Sequence, residues 1–199
     1  MQKKGFTLLE LLIVIGILAI LATAAVLVLN PAELLRQARD STRASDLASI
    51  NSTLGLYLST VATPLMDNRT TTQCVGGTNP RTYSAMTGAT SSASTFTYAT
   101  GSFFGSTTRG VNGTGWLPIN LAAMTGGSPL SNMPVDPSNT SSSGQMLTYV
   151  YGCDDTNKTY VITSRFESQK YVTDLGLPSK DGGPDANLYE VGTAPGLDL

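Results

Sequence analysis

From Phe6 to Leu29 the chain is almost wholly apolar, and a single acid, Glu10, sits inside that run. As a helix the run extends roughly 36 Å, enough to cross a bilayer core with some tilt. A carboxylate in hydrocarbon is costly unless something neutralises it, so an acid at that depth is read as functional. The partner it points to is an α-amino group made by cutting the chain after Gly5. An ordinary secretory signal ending near Ala22-Thr23-Ala24, or a plain single-span anchor, fits the same hydropathy. Both leave Glu10 without a purpose.

Gly5-Phe6-Thr7-Leu8-Leu9-Glu10, preceded by Lys3-Lys4, resembles the class III signal of type IV pilins and of the pseudopilins of type II secretion. The resemblance implies that a prepilin peptidase and methyltransferase cuts between Gly5 and Phe6 and methylates the new amine of Phe6. It implies further that Glu10 pairs with a neighbouring subunit's N-terminus as an inner-membrane assembly platform builds a helical homopolymer. The precursor would be a single-pass protein of the cytoplasmic membrane, and the mature subunit part of a cell-surface or periplasmic filament. Type IV pilus, secretion pseudopilus and minor tip or adhesin subunit all remain open on this motif.

Composition narrows the classes. The formal charge of −2 becomes −4 once Lys3 and Lys4 leave, and the remaining basic residues are scattered singly. Nucleic-acid binding therefore has no electrostatic footprint, and none is expected. There is no histidine, which removes the commonest general base and metal ligand. No nucleophile–base pair and no phosphate loop follows a strand, so an enzyme is not expected. Cys74 and Cys153 are the only cysteines. In an exported domain one disulfide is the natural outcome, closing a loop of about 80 residues, although two buried free thiols satisfy the same count.

Beyond Asn30-Pro31, which reads as a kink, Ala32 to about Val61 continues as a second helix of different character. Glu33/Arg36, Arg36/Asp40 and Asp40/Arg43 have same-face spacing, either a solvated face or a surface that meets a neighbouring subunit. Leu47, Ile50, Leu54, Tyr57, Leu58 and Val61 form an apolar stripe for a globular body. Residues 63 to about 115 are rich in Thr, Ser and Gly, with thin strand signal at Thr95-Phe96-Thr97-Tyr98. Trp116 to Met124 reads as a short helix ending at Gly126-Gly127. Gln145–Tyr151 and Lys158–Arg165 alternate as strands about the turn Asp154-Asp155-Thr156-Asn157, and Lys170-Tyr171-Val172 suggests a third.

The organisation expected is a leader at 1–5, a transmembrane and filament-core helix at 6–30, an amphipathic helix at 31–62 and a globular antiparallel β domain at 63–199. That is an α+β architecture, the type IV pilin-like layout the resemblance also implies. The turn Pro134-Val135-Asp136-Pro137 before a Tyr-rich strand is similar to that of major pseudopilins. So is the tail Asp181-Gly182-Gly183-Pro184-Asp185, whose carboxylates suit calcium, with Asp181 and Asp185 the candidate ligands. An exposed polar loop that uses Asp and Gly for turns is the alternative. The Thr/Ser-rich insert and the cysteines lean instead toward an exposed pilin. Five Asn-X-Ser/Thr sequons, at Asn51, Asn68, Asn112, Asn139 and Asn157, are the number such a composition produces by chance.

Overall fold

The computed structural model describes residues 5–69, 73–75, 81–89, 102–142 and 145–199. Helix α1 spans Leu8–Leu29 and helix α2 spans Pro31–Thr60. One residue separates them. Asn30 adopts left-handed φ 38°, ψ 72°, ending α1, while its side chain accepts from the Glu33 amide at 3.4 Å to cap α2. Asparagine tolerates that conformation, and Pro31 at the first helical position gives up an amide that would be unpaired anyway. The expected kink is thus a full interruption of helical geometry lasting a single residue.

Among the described residues seven strands follow: β1 Arg81–Ser84, β2 Ser102–Gly105, β3 Thr140–Ser142, β4 Gln145–Leu147, β5 Val150–Asp154, β6 Thr159–Ser164 and β7 Tyr189–Gly192. Five form one sheet in the order β2-β1-β5-β6-β7, and β3 and β4 pair as a separate hairpin. The α+β layout of a long N-terminal helix followed by a sheet holds, but the sheet is mixed rather than antiparallel. At its edge β1 and β2 run parallel, Arg81 opposite Ser102 and Ser84 opposite Gly105. A parallel pair needs a crossover rather than a hairpin. The Thr95–Tyr98 strand signal lies outside the described residues.

Alternation on the central strands decides what faces α2. Tyr151 and Cys153 on β5 sit opposite Ile162 and Tyr160 on β6. These side chains join Tyr83, Tyr149 and the α2 stripe Leu47, Ile50, Leu54 and Tyr57 in one buried core, with Leu58 and Val61 at its margin. On the reverse face Val150 and Val161 pack with Ala89, Met146 and Ala194. Three of the buried tyrosines keep their hydroxyls bonded, as burial of a polar group favours. Tyr149 donates to Asp46 at 2.7 Å, Tyr151 to the Met66 carbonyl at 2.9 Å and Tyr160 to Asn51 Oδ1 at 2.8 Å. The disulfide Cys74–Cys153, with a sequence separation of 79, ties the segment before β1 to β5.

Three local expectations change. The strand read over 145–151 breaks at Thr148-Tyr149, its first part pairing with β3 and its continuation entering the main sheet. Lys170-Tyr171-Val172 is not a strand but the start of a wide helical turn, Lys170–Asp174, whose residues are not buried. The position beside β6 is taken by β7. Between Trp116 and Met124 only Leu121–Ala123 is helical, as a 3₁₀ turn. Trp116, Leu117, Ile119 and Leu121 are all fully buried, a pattern one helix face cannot produce.

Candidate assembly site

Every described residue of α1, from Leu8 to Val26, is exposed: Leu8 is 81% and Ile20 71% accessible. From Leu8 to Val26 the helix is apolar on all sides apart from Glu10 and Thr23, and none of the described residues covers it. A helix of that kind belongs in a bilayer or inside an assembly. Gly5, Phe6 and Thr7 precede it in non-helical conformation, with Phe6 83% accessible. The bond between Gly5 and Phe6 therefore lies outside the helix.

Glu10 is more tightly held than its position in the run suggests. One carboxylate oxygen accepts from the Thr7 amide at 3.0 Å and from the Thr7 hydroxyl at 2.9 Å, and the Thr7 hydroxyl oxygen accepts from the Glu10 amide at 3.2 Å. This is a reciprocal capping box, which satisfies two amides at the helix start and places an acid at the positive end of the helix dipole. The signal Thr7-x-x-Glu10 was readable in the sequence as a helix start, yet the apolar run drew attention only to the charge. Within one chain the carboxylate thus already has donors, and a neighbouring ammonium would add to or displace them.

A second charged site joins α2 to the body. The Arg43 guanidinium donates to both oxygens of Asp136, at 2.7 and 2.9 Å, and also to Asp40 and Glu167, each at 2.7 Å. Arg39 grips Glu167 with two bonds, at 2.8 and 3.1 Å. Asp40 accepts from the backbone amides of Glu167 and Ser168, and Asp136 from those of Ser138 and Asn139. The side chains of Arg43, Asp40 and Asp136 have no solvent exposure at all. The charge run is therefore neither a solvated face nor free for a neighbour at these positions; it docks on the same chain.

Burial opposes the Arg43 charge, but its bonds to Asp136, Glu167 and Asp40 raise its pKa above the ordinary arginine value. Burial likewise opposes the Glu167 charge, and Arg39 and Arg43 overcome it, holding the carboxyl below the usual glutamate range. Asp136 belongs to the turn Pro134-Val135-Asp136-Pro137. Its partner across the fold, Arg43, carried no sequence signal beyond its spacing from Asp40.

The tail brings the loop acids Asp181 and Asp185 beside Glu190 on β7. Asp181 accepts from the amides of Gly183 and Glu190, at 3.0 and 2.8 Å. Asp185 accepts from the amide and side chain of Asn187, at 2.9 and 3.0 Å. Calcium takes six to eight oxygens, and these acids are already committed to the loop's own turns. Among the described residues no three His, Cys, Asp or Glu side chains gather to hold a cation. Burial, with Asp181, Asp185 and Asp198 nearby, pushes the Glu190 carboxyl up to about 7 against the Asp185 amide that favours its charge.

The family model described as the prokaryotic N-terminal methylation motif matches residues 1–26. The chain therefore carries the class III signal of type IV pilin and pseudopilin precursors, and its long N-terminal helix with a five-stranded mixed sheet has a type IV pilin-like layout. No curated protein and no solved structure matches the chain.

Proposed function

We propose that this protein is a structural filament subunit, cleaved between Gly5 and Phe6, N-methylated on Phe6 and polymerised through α1 into a type IV pilus or pilus-like filament. The observation that carries the reading is the pairing of a fully exposed apolar helix with a lone carboxylate at its start. Before assembly the bilayer covers that surface; in a filament, other copies of α1 do so. Glu10 then supplies the one electrostatic contact that distinguishes one axial position from another, since an apolar seam alone slides at little cost. The methylation motif supports the processing step, because that signal is the substrate of a prepilin peptidase.

In this reading residues 1–5 are the leader, 6–30 the membrane and filament-core helix, 31–62 the helix that carries the head, and 63–199 the head itself. Glu10→Val should leave the chain processed and membrane-inserted but stop filament formation. Filaments of wild-type abundance from that variant would remove Glu10 from the assembly step. Gly5→Asp should leave full-length precursor in the membrane, and normal maturation of it would contradict the cleavage position.

A further inference from the structure

Where α1 ends, an open hollow of about 780 Å³ lies between the start of α2 and the turn after β6. Asn30, Arg36, Arg165, Gln169, Thr173 and Asn187 are among its walls. Asn30 directly follows the apolar helix, and Arg36 lies about 9 Å further along α2. Chain connectivity alone therefore keeps the hollow at headgroup depth whenever α1 spans a bilayer, because the polar layer begins where the hydrocarbon ends.

The charges in the hollow are unequal in availability. Glu167 is held by Arg39 and Arg43, and Glu33 accepts from the Gln169 amide at 2.7 Å. Arg36 reaches Glu33 only at 3.8 Å and is half exposed. The Arg165 guanidinium makes no ion pair or hydrogen bond among the described residues. Two arginines thus face open space with donor capacity to spare, and guanidinium geometry suits phosphate oxygens. Val172 in the hollow is 39% exposed, and Leu34 and Leu35, beside Arg36 in the α2 sequence, are 51 and 63% exposed. Basic heads beside apolar side chains are the pattern of a surface that rests on a bilayer.

We infer that this hollow holds the phosphate of an anionic phospholipid headgroup, in the leaflet where α1 leaves the membrane. The inference rests on the membrane-anchored precursor proposed above. A bound headgroup orients the head on the bilayer before the subunit is extracted, and it is left behind when α1 enters a filament.

The test uses the full chain in nanodiscs of equal phosphatidylglycerol and phosphatidylcholine, with retained lipid read by native mass spectrometry. Phosphatidylglycerol should be enriched several-fold over phosphatidylcholine. Arg36→Gln with Arg165→Gln should return the ratio to that of the disc with an unchanged melting temperature, and Arg165→Lys alone should keep part of the enrichment. A wild-type ratio equal to the disc's would overturn the inference, as would enrichment that survives the double substitution. A wild-type chain that retains added glycerol phosphate but shows no phosphatidylglycerol enrichment would also overturn it, assigning the site to a soluble anion. So would a wild-type chain without lipid preference whose double variant fails to form filaments, which would give the hollow to a second copy. A chain that does not enter discs at all strikes the membrane-anchor reading instead, so the two failures are distinguishable.

Discussion

Two acids on this chain do opposite things for reasons visible in their surroundings. Glu10 sits at a helix start with donors supplied by Thr7, whereas Glu190 is 3% exposed and surrounded by further carboxylates. A folded-state pKa of about 7, raised above that of an unfolded glutamate, means that the native state holds the extra proton. The resulting stability is fully present below the ordinary glutamate range and is lost as pH rises through about 7. The loss has an upper figure of about 3 kcal/mol. Melting temperature should therefore fall between pH 5 and pH 8, and Glu190→Gln should flatten that slope. An unchanged slope in the variant would show that other groups control it. Gly183 belongs to the same arrangement: a Cβ there would lie within 1.9 Å of a Glu190 carboxylate oxygen, so Gly183→Ala should destabilise the loop even though its backbone angle is ordinary.

Among the elements, α2 matters most because it joins an apolar rod to a folded head by two different means. Its C-terminal half uses the Leu47, Ile50, Leu54 and Tyr57 stripe, and its N-terminal half uses the Arg43 cluster. Removing one partner from a fully buried ion pair leaves an uncompensated charge, at about 3–5 kcal/mol. Arg43→Ala, which leaves Asp40 and Asp136 buried without their cation, should cost that much in chemical denaturation, while Arg36→Ala, at an exposed and loosely paired position, should change stability by about 0.5 kcal/mol or less. Reduction of Cys74–Cys153 releases a loop of 79 residues. It should lower stability by about 4.5 kcal/mol at most, read as a shift in the same curve with and without reductant.

The apolar stripe was legible in the sequence because helical period and burial coincide there. The Arg43 cluster was not, since Asp136 and Glu167 stand 93 and 124 residues away and same-helix spacing reveals nothing about partners so distant. The split at Thr148-Tyr149 and the turn at Lys170 were missed for a related reason. Both segments have strand composition, but strand pairing is a contest among neighbours, and β7 won the place beside β6. The parallel β1–β2 edge likewise depends on the path of a crossover, which residue pattern does not encode.

For the whole molecule, the division of labour follows from exposure. A chain whose first helix is apolar on every side and uncovered, while its second is anchored on a sheet by an ionic cluster and an apolar stripe, presents a polymerisable rod on a self-sufficient head. The layout was the most legible level, because a long apolar run, one proline break and late alternating strands leave few alternatives. In the proposed filament the rod becomes usable only after the leader is removed, so that a new ammonium can meet Glu10. Intact-mass and fragment spectra of the N-terminus of the assembled protein test that most directly. Filaments whose subunits begin at an N-methylated Phe6 are expected; assembled subunits that retain residues 1–5, or that begin well beyond Glu10, would contradict it.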